Sequence, residues 1–284
     1  MIRAAAWSAT ALIGLLLSGP VRADSWSDPT LMPTRGPAQV IGAPWNGCLA
    51  GAASLLWRGS GYEVLRPGED RYFGDPATVR FVERLGRRAH AAGLPMFYVG
   101  DMAQPRGGPM SSSHVSHETG VDVDIWLTLD TVPKLPDAVR QTLDPPPMVL
   151  PDQSAIDPAR FGPGQVTLLR LAARDPAVDR IFVNPAIKRA LCEGYGGAGR
   201  GDRTWLRRVR PWYGHEAHFH VRLKCPVGAP LCQGQPPVPP GDGCDPAIFA
   251  WWSRELSKPK PAVPPPPRVR PPLPAACTAL VPER

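Results

Sequence analysis

The sequence predicts an α+β fold: a small central antiparallel sheet flanked by helices and long loops and tied together by disulfides. Two short segments, residues 121–127 (VDVDIWL) and 218–223 (HFHVRL), alternate strictly between polar and apolar residues, the period of a half-buried strand. Other stretches place apolar residues at helical spacing. Six cysteines, Cys48, Cys192, Cys225, Cys232, Cys244 and Cys277, form an even set with no C-x2-C pair. That favours three disulfides over a structural metal knot, with fifteen connectivities open. At 284 residues and 43% hydrophobic, the chain can bury the core of one sizeable domain or two small ones.

The elements follow in order. Residues 1–23 begin with Arg3, run apolar from residue 4 to 17, break at Gly-Pro and end in small residues around Val21-Arg22-Ala23. This is the pattern of a cleavable secretory signal, with Asp24 the first mature residue; the apolar run is short for a membrane anchor. No later segment is apolar for long enough to cross a bilayer, so export without stable membrane insertion is expected. The body, residues 24–257, contains a helix over 77–92, where Val79, Val82 and Leu85 share a face and Gly93 stops the helix. A short buried strand follows at 96–99, then a Gly- and Ser-rich loop. In 121–127, Val121, Val123 and Ile125 share one face and Asp122, Asp124 and Trp126 the other. Residues 132–163, rich in proline and aspartate, form a long excursion. Helical character returns near 166–174, a strand near 180–183 and a short helix near 185–191. In 218–223, His218, His220 and Arg222 face one side and Phe219, Val221 and Leu223 the other.

Nine of the 38 prolines fall between Pro259 and Pro274, so the last part of the chain, residues 258–284, reads as an extended tail outside the core, which Cys277 can tie back. The formal charge is +7; without Arg3 and Arg22 the mature chain keeps 30 basic against 25 acidic residues, or +5. That surplus suits an anionic polymer or an ordinary solvated surface. Nucleic acid is a poor partner for an exported protein.

Histidine is scarce, six in all, and five of the six fall in two clusters: His114 and His117 in SSSHVSHETGVDVD, and His215, His218 and His220 in GHEAHFHVRLKC. The sixth, His90, ends the first helix and reads as a solvated residue at its C-terminal dipole. If the two alternating strands lie in one sheet, Asp124 and His220 converge, with His117 arriving from the loop before the first strand. Two imidazoles and a carboxylate suit Zn2+ and leave a fourth position open, the make-up of a catalytic site. A His-x-His or an Asp-x-Asp alone is often incidental; H-x6-D followed by H-x-H is far more specific. His117-Glu118 and His215-Glu216 do not begin an H-E-x-x-H motif, since position 121 is valine and the next histidine after 215 comes one residue early. Glu118 and Glu216 are read as surface or supporting groups.

SHETGVDVD and HFHVRLKC together resemble the LAS class of zinc peptidases. Within it, RYFGDPATVRFVERL, FYVGDMAQPRGG, RIFVNPAIKRALC and RPWYGHEAHFHVRLKCP resemble the penicillin-insensitive murein endopeptidases, from about Thr34 to Cys277. The resemblance implies His117, Asp124 and His220 as metal ligands, His218 as base or transition-state stabiliser, and His215 as a further active-site histidine. His114 matches a position near the metal, as ligand or substrate-facing group. The stretch that matches a second, peripheral metal site in the family, MVLPDQSAIDPAR, lacks histidine, and Asp152 is its nearest candidate. The resemblance also implies the pairings Cys48–Cys277, Cys192–Cys244 and Cys225–Cys232.

The expected function is then periplasmic hydrolysis of the D-alanyl-meso-diaminopimelyl cross-links of peptidoglycan through zinc-activated water. His218 or His215 would move the proton or stabilise the oxyanion. Asp122 is placed to orient a ligand histidine or to serve as a plain surface acid. Trp126, Trp212 and Tyr213 flank the motifs, as groove lining or core. The competing readings are a D-Ala-D-Ala dipeptidase or carboxypeptidase of the same class and a non-enzymatic, zinc-stabilised wall-binding protein.

Overall fold

The computed structural model describes residues 26–110, 114–130, 134–257 and 270–281. The expected leader, residues 1–23, and the proline-rich run over 258–269 lie outside the described residues. In chain order the strands and helices are β1 (Gln39–Ala43), β2 (Asn46–Ala50), β3 (Ala53–Ser54), β4 (Arg58–Gly59), β5 (Tyr62–Val64), β6 (Phe73–Gly74), α1 (Pro76–Ala91) and β7 (Met96–Val99). There follow β8 (Asp122–Asp130), α2 (Asp137–Thr142), α3 (Pro163–Ala173), β9 (Val178–Val183), α4 (Pro185–Cys192), β10 (Val209–Pro211), β11 (His218–Leu223), α5 (Pro246–Leu256) and α6 (Ala275–Thr278).

The two alternating segments become β8 and β11, antiparallel neighbours at the middle of one sheet, as expected. That sheet is larger than the small antiparallel one expected. It has seven strands in the order β10-β9-β11-β8-β7-β5-β4, and it is mixed, because β5 with β7 and β9 with β10 are parallel. Parallel neighbours need a crossover, and α1 and α4 lie in the two connections. The outer strands β5 and β10 are only three residues long, too short to show alternation in the sequence.

Three of the described helices start on a side-chain cap followed by proline. Asp75 caps α1 by accepting a hydrogen bond from the Ala77 amide at 2.7 Å, and Pro76 fills the first helical position, where no amide hydrogen is needed. Asn184 and Pro185 repeat the arrangement at α4, Asp245 and Pro246 at α5. The buried stripe of α1, Val79, Val82, Leu85 and Ala89, packs with α3 over the apolar face of the sheet, which is built from Val123, Ile125 and Leu127 of β8 and Phe219, Val221 and Leu223 of β11. Burying side chains of this size contributes about 1.5–3 kcal/mol each. One face of both central strands therefore belongs to the core, which turns every polar residue of β8 and β11 to the opposite face. The excursion over residues 132–163 carries α2 and a bridge between Val149 and Ile156.

A second unit braces the front of that polar face. β1 and β2 form a hairpin whose Cys48 is bonded to Cys277 of α6, and Trp26, Ile41, Leu273 and Leu280 pack around the bridge. The hairpin grips the loop that enters β8: the Glu118 amide donates to Pro44 O at 3.0 Å, and the Gly47 amide donates to Glu118 Oε2 at 3.1 Å. A Cβ on Gly47 would come within 2.2 Å of Ile41 O and 2.5 Å of Thr119, so only glycine fits this approach. The other bridges are Cys192–Cys244 and Cys225–Cys232, and all three pairings agree with those implied by the resemblance.

Candidate active site

Register sets the centre of the site. In the β8–β11 ladder His220 stands opposite Asp124, and Asp122 opposite Arg222. Asp124 Oδ1 lies 3.1 Å from His220 Nδ1. Its other oxygen, Oδ2, lies 3.4 Å from His117 Nε2, 3.6 Å from His114 Nε2 and 3.7 Å from His218 Nε2. One carboxylate thus touches four of the five clustered histidines. The fifth, His215, reaches the group through its ring, 5.0 Å from that of His218.

The loop before β8 delivers His117 by a left-handed turn. His117 has φ +73°, uncommon for a residue with a Cβ and costing about 1–3 kcal/mol. Its amide donates to Asp122 Oδ2 at 3.2 Å, which helps hold it there. His215 has the same kind of backbone, φ +61°, and its Nδ1 lies 2.7 Å from the carbonyl oxygen of Tyr213. A carbonyl only accepts, so Nδ1 carries the hydrogen and Nε2 presents a lone pair.

Asp122 is fully buried and serves three partners. Arg222 donates to it through Nε at 2.8 Å and Nη2 at 2.9 Å, His117 through its amide, and His220 Nε2 stands 3.3 Å away. It is therefore a buried partner of His117 and His220 and not a surface acid. Asp101, which the sequence reading did not single out, does the same for His114. Its Oδ2 is 3.1 Å from His114 Nδ1, and Arg71 holds it at 3.1 Å. The signal for Asp101 was its place directly after the buried strand β7, in VGD. Glu118 is buried, held by the Gly47 amide and ion-paired with Arg270, so it braces the loop. Asp152 is exposed and spends its carboxylate on Ser154, while His90 is exposed at the end of α1.

The charge balance calls for a cation. Burial alone would push Asp124 up, but the imidazoles of His117 and His218 overcome it and hold the carboxyl well below the usual carboxylate range. Burial likewise opposes ionisation of Asp122, and Arg222 and then His220 overcome it. Burial works against a charged His220 too, yet Asp122 and Asp124 on its two sides raise it to about 9. Two buried carboxylates thus face one guanidinium and draw a further positive charge. Both ring nitrogens of His117 and Oδ1 of Asp124 are sealed from water without a well-directed hydrogen bond, a condition buried polar atoms seldom tolerate. His114, His117 and Asp124 offer donor atoms all within 4.8 Å of one another. Imidazole and carboxylate donors of this kind fit a divalent metal.

An α+β sheet that gathers histidines and a carboxylate on one polar face, with two more histidines beside them, is the layout of a metal-dependent hydrolase. Comparison with known proteins narrows the class. The family model described as penicillin-insensitive murein endopeptidase matches residues 40–282. Relatives of that name are 44% identical in Klebsiella pneumoniae, covering 96% of this chain and 97% of the relative, and 44% identical in Haemophilus influenzae, covering 87% and 83%. A Yersinia enterocolitica relative is 43% identical over 97% of this chain and 96% of its own. The chain belongs to the penicillin-insensitive murein endopeptidase family.

Proposed function

We propose that this chain is a periplasmic zinc endopeptidase that hydrolyses the D-alanyl-meso-diaminopimelyl cross-links of peptidoglycan. The observation that carries the reading is the β8–β11 register, which sets Asp124 against His220 while the entering loop brings His117 and His114 to the same carboxylate. His117, Asp124 and His220 would hold the zinc, with His114 beside them. When bound, zinc supplies Lewis acidity toward a peptide carbonyl and toward water.

The chain's own residues divide the remaining work. Hydrolysis needs a group to take a proton from water, support for the oxyanion, and a proton for the leaving amine. Burial lowers the pKa of His218 below its ordinary value, against the pull of the neighbouring Asp124 carboxylate, which favours the charged form. His215 is held neutral, lowered to about 3 by burial and then by repulsion from His218 and His220. His218, beside the Asp124 carboxylate, would carry the proton, and His215, whose Nδ1 is taken by the Tyr213 carbonyl, would offer Nε2 as a hydrogen-bonding partner. Asp122 and Asp101 orient His220 and His114.

The leader-like residues 1–23 and three disulfides, which persist in an oxidising compartment, support the periplasmic location. No helix among the described residues is long and apolar enough to cross a membrane. In this reading residues 24–257 form the peptidase domain and residues 258–284 a proline-rich tail tied back through Cys277. Purified cross-linked muropeptide dimers test the proposal. Chelator-sensitive release of monomers is the expected result; loss of only a terminal D-alanine would make the protein a carboxypeptidase, and no product with metal fully loaded would leave it a wall-binding protein.

A further inference from the structure

Beside the histidines lies a cluster of aromatic rings that the hydrolytic reading does not use. Trp252 of α5 is 6% exposed and serves as a pedestal. Around it stand Tyr213, Trp251 and Trp212, with ring centroids 4.4, 4.7 and 6.4 Å away. These three are 42%, 45% and 54% exposed. Rings of this size ordinarily bury most of their surface, and a group of them left in water marks a binding surface.

The cluster is continuous with the reacting centre. Ring contacts lead from His218 to His215 at 5.0 Å, from His215 to Phe182 at 6.2 Å, and from Phe182 to Trp212 at 5.8 Å. Phe182 stands opposite His220 on the polar face of the sheet, so the path runs along that face to its β10 side.

Resting on the endopeptidase reading, we infer that Trp212, Tyr213 and Trp251 form a platform for the glycan strand of the substrate, on which the N-acetylated sugar rings stack. Pyranose rings present flat C–H faces that pack on indole and phenol rings, while their hydroxyls and acetamides stay in water. The peptide stems of murein offer methyl groups and carboxylates, which have little with which to cover three rings. Reach agrees: four extended residues span ~13–14 Å. A sugar seated on Trp212 therefore lets its stem bring the terminal amide to the histidines.

Peptide-free glycan strands, prepared by stripping the stems from murein, are the probe, followed by tryptophan fluorescence and co-sedimentation. The parent binds them, and Trp251→Ala and Trp212→Ala each weaken binding roughly 3- to 10-fold, the scale of an aromatic stacking contact. Trp251→Phe and Trp212→Tyr keep a flat ring and restore most of it. The alanine variants also lose more rate on intact sacculi than on glycan-free cross-linked peptide. Equal binding of glycan by the parent and both alanine variants overturns the inference, as does equal loss on the two substrates or a failure of the ring-retaining variants to restore binding. A parent that cleaves dimers but ignores glycan removes the platform and leaves the endopeptidase; one that binds glycan but cleaves no dimer does the reverse.

Discussion

Asp122 Oδ1 lies 3.3 Å from Nε2 of His220, across the imidazole from the Nδ1 that faces Asp124. A carboxylate there fixes which nitrogen carries the hydrogen and aims the other at the metal position. Asp122→Asn keeps the shape and removes the charge. Zinc affinity, measured by competition with a chelator, is expected to fall ~10- to 100-fold, the usual cost of losing such a partner. An unchanged affinity would show that Asp122 serves only the Arg222 ion pair.

His218 and His220 are two residues apart on one strand face, yet they sit differently. His220 is buried between two carboxylates, whereas His218 is only half-buried, with its ring 5.5 Å from that of Trp126. His220→Ala is expected to lose metal. His218→Ala is expected to retain it and lose ~100- to 10,000-fold in rate, the range for a general acid or base. Metal analysis of both purified variants decides the matter, and equal zinc loss refutes the division.

Much of this was legible in the sequence because it depends on period-two alternation. The faces of β8 and β11 follow from VDVDIWL and HFHVRL alone, and burial of the apolar face forces Asp124 and His220 to the other. What alternation does not encode is which strands neighbour which. Nothing local places β9 between β10 and β11 or brings Phe182 beside His220. Asp101 escaped notice because it approaches His114 from a loop, held by Arg71 from a different part of the chain. Of the two readings of Glu118, surface or supporting, the second holds, because Arg270 and the Gly47 amide, distant in sequence, make its burial tolerable. The helix α5, with its tryptophans, was missed because residues 246–256 show no clean apolar stripe.

Residues 270–281, the described part of the tail, are part of the folded unit. Cys277 is bonded to Cys48 across 229 positions, Asn46 Nδ2 donates to Pro272 O at 3.1 Å, and Arg106 Nη1 donates to Leu280 O at 2.5 Å. Replacing both cysteines by alanine is expected to cost about 2–5 kcal/mol in urea unfolding. Because the hairpin grips the loop that carries His117, zinc affinity should weaken in the same variant. Parental stability and affinity would make the tail a mere appendage.

Lys188, on α4, is buried with its ammonium donating to Leu206 O at 2.9 Å and Asp242 O at 2.7 Å. Burial first, then repulsion from Arg210, lowers it from 10.5 to about 7, against the pull of Asp242. The folded pKa is below the unfolded one, so between about 7 and 10.5 the unfolded chain holds a proton that the fold has released. Stability on this account rises with pH through that window, and the cost of the charged lysine is greatest below about pH 7. Lys188→Met removes the titration along with both hydrogen bonds, so its absolute stability is not the readout. The difference between the parent and Lys188→Met, measured by urea unfolding at pH 7 and again near pH 9.5, should shift in favour of the parent at the higher pH by a few kcal/mol, at ~1.4 kcal/mol per unit. A difference independent of pH would mean that the lysine keeps its proton inside the fold, with the two carbonyls offsetting its burial.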